Sequence, residues 1–542
     1  MPRVFVSDKL EQEGLDLMQR AGLELDVRPG LKGEELKAAM QAADGMIVRS
    51  GTRVTADLLD RPGRLRAIVR AGVGVDNIDV PAATRKGVVV MNTPGGNTIS
   101  TAEQTLALLY AVARQTPAAD ASLHAGKWER NKFVGVQLAG KTLGIIGLGR
   151  IGREVAKRAL AMDMQVIGFD PMLAPERLAA LGVSAAHDLR ELLSQSDFVT
   201  LHVPLTEQTR HLLGAAELAA MKPGSRLINC ARGGLVDELA LADALRRGHL
   251  AGAGLDVFEE EPPPSDHPLL QLPNVVCTPH LGASTTEAQR SVALEAAHLL
   301  IDFLNKGQIQ SAVNMAAVDR KELVDLRLYL DMTYRLGLLQ AQLSTGSIKQ
   351  VRITFRGEIA TRQTRLLTAA LLVGLLEPWL QEPINLVNAE LLAQERGIEI
   401  ETFSSSTRAD FNSLIRTEVT SDQGTHTAAA TLFGNEFLRL VHFGEFHLDA
   451  YLDGIMLLFS HQDMPGLIGF IGTVFGKHGV NIAQMAVGRA IPGGRAIAVL
   501  NLDSLPPEAA LAEVRSHPRI FSVHLVKLPP KGQLPAWLQV PD

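Results

Sequence analysis

TLGIIGLGRIGREVAKRAL, residues 142–160, decides the fold. An apolar strand pattern, TLGII, runs into Gly147, Leu148, Gly149, Arg150, Ile151 and Gly152 and then into the helical stretch IGREVAKRAL. A bare GxGxxG is often only a strand-to-helix turn. Set between a strand and a helix it does more: the first glycine makes the tight bend, the second lets a pyrophosphate approach the backbone, and the third lets the helix pack closely. The next strand pattern, QVIGFD, ends on Asp170, about 20 residues further on, where such units place an acidic ribose reader. A carboxylate there accepts hydrogen bonds from both ribose hydroxyls and repels a 2′-phosphate. The cofactor read from these residues is NAD rather than NADP.

Working outward, FVTLHVP, RLINCA, AGAGLDVF and VVCTPH read as further strands with helical spacers, so residues 98–286 are expected to form one doubly wound parallel sheet. Upstream, VFVSD, GMIVRS, AIVRAG and VVVMN imply a second such sheet. A long helix is expected from Ser100 to about Gln115, with Ser100 as N-cap and Glu103 in the first turn. A helix from Thr286 to Asn305 is long enough to cross back, which makes the first domain discontinuous: 1–97 and 287–315. Segment 316–453 mixes helices, including the buried-helix candidate LLTAALLVGLL, with the strand candidates QVRITFRG, IEIETFSS and HTAAATLFG. Residues 454–528 read as a βαββαβ unit, and 529–542 as a Pro-rich tail.

Bulk properties exclude several classes. The 542 residues are 46% hydrophobic and 21% charged, and the formal net charge of −6 gives no reason to expect nucleic acid or an anionic membrane as partner. Two cysteines, Cys230 and Cys277, are too few for a disulfide framework or a metal cluster, so no metal is expected. The first residues, MPRVFVSDKL, lack the pattern of a signal peptide, and no apolar run reaches the roughly 18 residues of a membrane span. The expected setting is cytoplasmic.

Three residues carry chemistry. Removing hydride from an alcohol beside a carboxylate requires a base for the hydroxyl proton and a cation for the carboxylate. His280, in the turn TPHLGA after a strand, is the candidate base. Glu261, closing FEEEP, is its candidate partner, since a carboxylate bonded to an imidazole orients it and raises its pKa. Arg232, in the CARGG turn, offers a fork for a carboxylate.

These strings, with VRSGTRVT, AGVGVDNIDV, ATRKGVVVMNTPGGNT, the stretch GKWERNKFVGVQLAGKTLGIIGLGRIGREVA, CARGGLVDE and HLGAST, resemble the D-isomer-specific 2-hydroxyacid dehydrogenases. The resemblance covers residues 1–315 and resumes at 454–528. It implies an α/β fold: a Rossmann-type cofactor domain inserted in a flavodoxin-like substrate domain, followed by α+β regulatory domains. It assigns Arg232 to the substrate carboxylate and reacting carbonyl, His280 to acid/base work and Glu261 to its pairing. Cofactor contacts implied are Gly147, Gly149, Arg150, Ile151, Gly152, Asp170, Val203, Cys230, Ala231, Asp256, Gly282 and Ala283, with Asp256 near the nicotinamide amide. Substrate contacts implied are Arg49, Ser50, Gly51, Gly72, Val73 and Gly74, with Arg130 and Lys132 of KWERNKF reaching a neighbouring subunit's site. A dianionic phosphate needs more than one cation. The implied reaction is oxidation of 3-phospho-D-glycerate to 3-phosphohydroxypyruvate, the first committed step of L-serine synthesis.

DMPGLIGFIG and HGVNIAQM resemble an ACT domain, a module that binds amino acids between two copies. The resemblance implies a homo-oligomer, dimer or tetramer, with L-serine as effector at Asp463, Gly466 and Asn481. His461 and Gln462 depart from the usual motif there. Segment 318–452, most clearly in INLVNAELLAQERGIEI, resembles the extra domain of long-form members of this family, which implies an anionic effector or the substrate itself as its ligand, with Arg439, Arg352 and Arg356 as candidates. Two other readings stay open. One is a reductase for another 2-keto acid, glyoxylate or hydroxypyruvate, against which the C-terminal extension and the KWER segment count. The other is an NAD-sensing corepressor that works by binding protein partners.

Overall fold

Five short strands, β1 (Arg3–Val6), β2 (Glu24–Val27), β3 (Gly45–Val48), β4 (Ala67–Arg70) and β5 (Val89–Asn92), pair in parallel in the order β2-β1-β3-β4-β5. That is the flavodoxin-like order. The computed structural model describes residues 1–315, 320–381, 383–407, 410–434 and 436–533, with only the backbone at 320–323; the end of the Pro-rich tail lies outside the described residues. The edge strand β2 was not expected. Its sequence ELDV is half exposed and carries too little apolar alternation to announce a strand.

A second parallel sheet holds β6 (Thr142–Ile146), β7 (Gln165–Phe169), β8 (Ser184–Ala185), β9 (Phe198–Leu201), β10 (Arg226–Asn229), β11 (Gly252–Leu255) and β12 (Val275–Cys277). Its order is β12-β11-β10-β9-β6-β7-β8, with the direction of winding reversing between β6 and β9. Loops after those two strands therefore open a crevice at the carboxyl edge. The helix Thr286–Lys306 returns the chain to the first sheet. Thr285 Oγ1 caps it by accepting from the Ala288 amide at 3.2 Å, and Gly307 at φ 66° ends it. Its Val292, Ala293, Ala296 and Leu300 lie in one core with Val4, Val6 and Val69.

The long helix before the second sheet corrects one expectation. It spans Thr98–Arg114 with Asn97 at the N-cap, so Ser100 stands inside the first turn and Glu103 beyond it. The Ser100 hydroxyl is spent elsewhere: it donates to the Gly282 carbonyl at 2.6 Å, while Thr101 Oγ1 reaches the same carbonyl at 3.1 Å. A tertiary acceptor has outcompeted the local cap.

The third sheet contains β13 (Ile348–Gly357), β14 (Glu399–Ser405), β15 (Ser413–Ser421), β16 (Gly424–Phe433), β17 (Phe437–Phe443) and β18 (Phe446–Tyr451), in the order β14-β13-β15-β16-β17-β18. Only β13 and β14 pair in parallel. The helices Arg320–Leu343 and Thr364–Leu376 share its core, and the second is buried along its hydrophobic length, as LLTAALLVGLL implies. The fourth sheet, β19 (Ile455–Gln462), β20 (Ile482–Arg489), β21 (Arg495–Leu502) and β22 (Ile520–Lys527), is antiparallel in the order β20-β21-β19-β22. With helices Leu467–Lys477 and Glu508–Arg515 it forms the βαββαβ unit.

Polar contacts join these units. Arg335 of the third unit is fully buried, and its guanidinium donates to Asp331 and to the carbonyls of Leu452, Pro529, Pro530 and Gln533. Arg85 and Glu395 form a two-pronged pair at 2.9 and 2.6 Å, and Asn385 Nδ2 donates to the Gly87 carbonyl at 3.0 Å. These last contacts seat the third unit against the first.

Candidate active site

The two parallel sheets face each other across a cleft of about 690 Å³. On the second-sheet side the glycine loop occupies the turn after β6. Gly147 has φ 89°, and a Cβ on Gly152 would lie 2.1 Å from the Gly147 carbonyl oxygen. Gly149, at the start of the helix Arg150–Ala161, has open space where a Cβ would stand. That bare, amide-lined hollow fits a pyrophosphate. Asp170, at the end of β7, fits the ribose end. Its Oδ2 accepts from the Leu148 amide at 2.9 Å and its Oδ1 from Met172 at 2.9 Å, which leaves a lone pair on each oxygen for a ribose hydroxyl.

Beneath the loop, His202 is held neutral: burial takes its pKa down to about 3. Its Nε2 lies 3.2 Å from Thr200 Oγ1, and its Nδ1 is buried without a partner among the described residues. Val203, Ala231, Ala283, Gly282, Arg150 and Ile151 all line the cleft. So does Cys230, whose thiol is pushed up to about 12 by burial, so it serves as wall and not as nucleophile.

His280 and Glu261 meet at 2.7 Å through Nδ1 and Oε2. Burial pushes the Glu261 carboxyl up. The His280 bond and charge, the Phe258 amide at 3.2 Å and nearby Arg232 outweigh it and leave the carboxyl below its ordinary value. His280 itself has φ 55°, left-handed for a residue with a Cβ. Asp256 holds that turn. Its carboxylate, 1% exposed, accepts from the amides of Leu281 at 2.7 Å and Gly282 at 2.8 Å and from Thr278 Oγ1 at 2.5 Å. Asp256 was expected near a nicotinamide amide. It braces the histidine turn from behind and borders a neighbouring apolar pocket of about 390 Å³, with Oδ2 accepting from the cleft-lining Gly282 amide.

The opposite wall is basic. Arg49, just past β3, and Arg70, ending β4, stand side by side because β3 and β4 pair Val48 with Arg70. Arg70 was not singled out from the sequence, although AIVRAG was read as a strand; its place at a parallel strand end beside that of Arg49 is the signal that finds it. Burial brings its pKa down to about 10, with the Arg232 charge adding to the effect and Asp76 opposing it. Arg232 crosses from the other wall, so three guanidinium groups converge. Ser50, Gly72, Val73 and Gly74 line the same edge. Gly51 does not: a Cβ there would lie 2.5 Å from Asp8 Oδ1, so its role is to admit that carboxylate, which anchors the Arg49 amide at 2.6 Å. Arg130 and Lys132 are exposed in the 3-10 turn Arg130–Lys132, outside their own chain's cleft.

The C-terminal candidates are largely engaged by their own chain. Asp463 accepts from Arg489 Nη1 at 2.9 Å and the Gly493 amide at 3.0 Å, which hold its pKa low. Asn481 donates to Asp503 at 2.6 Å, and Gly466, at φ 89°, starts the helix Leu467–Lys477. Arg439 lies 3.8 Å over the Tyr451 ring and donates to Gln484 of β20 at 3.0 Å, so it ties the third sheet to the fourth. Arg352 is paired with Glu401 at 2.7 Å, whereas Arg356 borders a small cavity of about 120 Å³ with Arg416 and His442. Among the described residues no helix is long and apolar enough to cross a membrane, and no group of three metal-binding side chains occurs.

Residues 106–282 match the family described as D-isomer specific 2-hydroxyacid dehydrogenase, NAD binding domain. Residues 325–444 match the D-3-phosphoglycerate dehydrogenase intervening domain, and 455–519 the ACT domain. Among characterised relatives, the D-3-phosphoglycerate dehydrogenase of Methanocaldococcus jannaschii is 42% identical over 97% of this chain and 100% of its own. That of Bacillus subtilis is 42% identical over 98% and 100%. Among solved structures, the TT0316 protein from Thermus thermophilus matches with TM-score 0.53 and 42% identity, over 57% of this chain and 99% of that one. A glyoxylate reductase from Paecilomyes thermophila matches with TM-score 0.54 and 31% identity, over 58% and 98%.

Proposed function

The chain belongs to the D-3-phosphoglycerate dehydrogenases, and from that premise we propose how its cleft oxidises 3-phospho-D-glycerate to 3-phosphohydroxypyruvate. The reaction is NAD-dependent. NAD, when bound, supplies the acceptor for the hydride leaving C2. Gly147, Gly149, Gly152, Arg150 and Ile151 hold its pyrophosphate and Asp170 its ribose. His280 receives the hydroxyl proton at Nε2, because Nδ1 is taken by Glu261. Glu261, kept ionised, steadies the imidazolium that results. Arg232 grips the substrate carboxylate and the oxygen that becomes the C2 carbonyl. Arg49 and Arg70 receive the phosphate, with Ser50 and the Gly72–Gly74 turn beside them.

The observation that carries this reading is the convergence of Arg49 and Arg70 from one wall and Arg232 from the other beside one His–Glu pair. The substrate carboxylate accounts for Arg232, and a phosphate accounts for the other two. The domain limits follow: 1–97 with 287–315 for substrate, 98–286 for cofactor, then 316–453, 454–528 and the tail. Arg130 and Lys132 complete the site of a second subunit in a dimer or tetramer. L-serine, held at Asp463, Gly466 and Asn481 once their internal partners yield, is the feedback effector, with Arg439 transmitting between the third and fourth sheets.

NADH formation tests the reading. His280→Ala should lower kcat by about 100-fold or more, the size of a general base. Replacing Arg49 and Arg70 together by methionine should abolish the preference for 3-phospho-D-glycerate over D-glycerate. A preference that survives that double change overturns the phosphate assignment.

A further inference from the structure

Asp76 sits in the turn after Gly74 on the first-sheet wall, and its Oδ2 accepts from Arg232 Nε on the opposite wall at 2.9 Å. Its partner is 156 residues away in sequence. Arg232 Nη1 also donates to the Ala231 carbonyl at 2.6 Å. A guanidinium presents its N–H groups on fixed edges. With Nε held by Asp76 and one Nη1 hydrogen by Ala231, the other Nη1 hydrogen and those of Nη2 have no partner among the described residues, and one from each terminal nitrogen can form the end-on edge. That edge matches the two oxygens of a carboxylate.

The backbone is shaped for this pairing. A Cβ on Gly74 would lie 1.7 Å from Arg232 Nη2 and 2.6 Å from Asp76 Oδ2, so any side chain there would displace the arginine from its aspartate. Next to it, Asn77 Nδ2 donates to the carbonyls of Arg49 and Thr52, both at 2.6 Å, which fixes the turn to the Arg49 loop. Asp76 is 57% exposed and Arg232 27%. A pair so open adds little to stability, so its value must be sought in orientation.

We propose that Asp76 is a positioning residue: it clamps the Nε edge of Arg232 across the cleft and thereby aims the end-on edge at the substrate carboxylate. The clamp also links the two walls, so the arginine is set by the wall that binds the phosphate. This inference rests on Arg232 being the carboxylate-binding group.

Steady-state NADH formation by the full-length enzyme tests it. Asp76→Ala should lower kcat/KM for 3-phospho-D-glycerate about tenfold, the size of one charge-assisted hydrogen bond. The KM for NAD should stay within about twofold, and Asp76→Asn, which keeps an acceptor oxygen in place, should recover most of the loss. In an Arg232→Met background, Asp76→Ala should add less than about twofold, since the group it aims is gone. Three results overturn the inference: a kcat/KM unchanged by Asp76→Ala, an NAD KM that rises in step with it, or a tenfold penalty that persists without Arg232. Near-normal turnover of Arg232→Met alone would remove the premise instead, by unseating Arg232 from the carboxylate.

Discussion

Arg335 and Arg232 each hold an aspartate through Nε, at 2.8 and 2.9 Å, and there the likeness ends. Arg335 is sealed between the third and fourth units, with its terminal nitrogens spent on the carbonyls of Leu452, Pro529, Pro530 and Gln533. Arg232 stands in the cleft with its Nη2 unpaired among the described residues. The first is a joint and the second a receptor. Across the molecule the same contrast holds. Polar groups of the parallel-sheet half keep spare hydrogen-bonding capacity toward a shared cavity, while those of the C-terminal half are mostly consumed by their own chain.

The comparison breaks most sharply at Arg335. Arg335→Met should cost about 3–5 kcal/mol, because it strands a buried Asp331 carboxylate and several carbonyls. A denaturant midpoint close to that of the parent would show that the joint is not held by this residue. Arg232→Met should do the reverse: kcat/KM on the order of 100-fold lower, with stability changed by less than about 0.5 kcal/mol. A smaller effect is expected at Asp170→Ala. NAD binding, read by fluorescence titration, should weaken about tenfold while NADP binding stays level or improves. Equal weakening of both cofactors would deny the ribose reading.

The mildest test near neutral pH concerns His202. Its folded pKa of about 3 lies below the ordinary 6.5, so the unfolded chain binds its proton first. The stability this residue contributes is therefore present above pH 6.5 and is lost as pH falls toward 3, by at most about 1.4 kcal/mol per unit. His202→Gln should flatten the acid side of the stability curve by that amount. An unaltered slope would show that the ring is not buried neutral.

The sequence makes some of this legible because the chemistry sits on strand ends and tight turns, where a few adjacent residues declare the geometry. GLGRIG, Asp170, CARGG and His280 are of that kind. What stays hidden depends on residues far apart in the chain. Arg70 becomes a partner of Arg49 only once β3 and β4 lie in register, and Asp76 meets Arg232 only across a cleft. Ser100 has the chemistry of a cap, yet Gly282, 182 residues on, claims its hydroxyl. Strands β15, β17 and β18 escape notice in a segment whose threonine- and arginine-bearing outer face blurs the alternation; only the burial pattern of β15 shows it plainly. Asp256 also braces the His280 turn, a contact made across 25 and 26 residues that no local string announces.

The seat between Arg85 and Glu395, with Asn385 against Gly87, has a mechanical consequence. It bolts the C-terminal half to the jaw that carries Arg49 and Arg70. That half, more than 200 residues of it, is thus a handle on one jaw of a vice. Any displacement of that half must carry the Arg85–Gly87 stretch of this jaw with it or break these bonds.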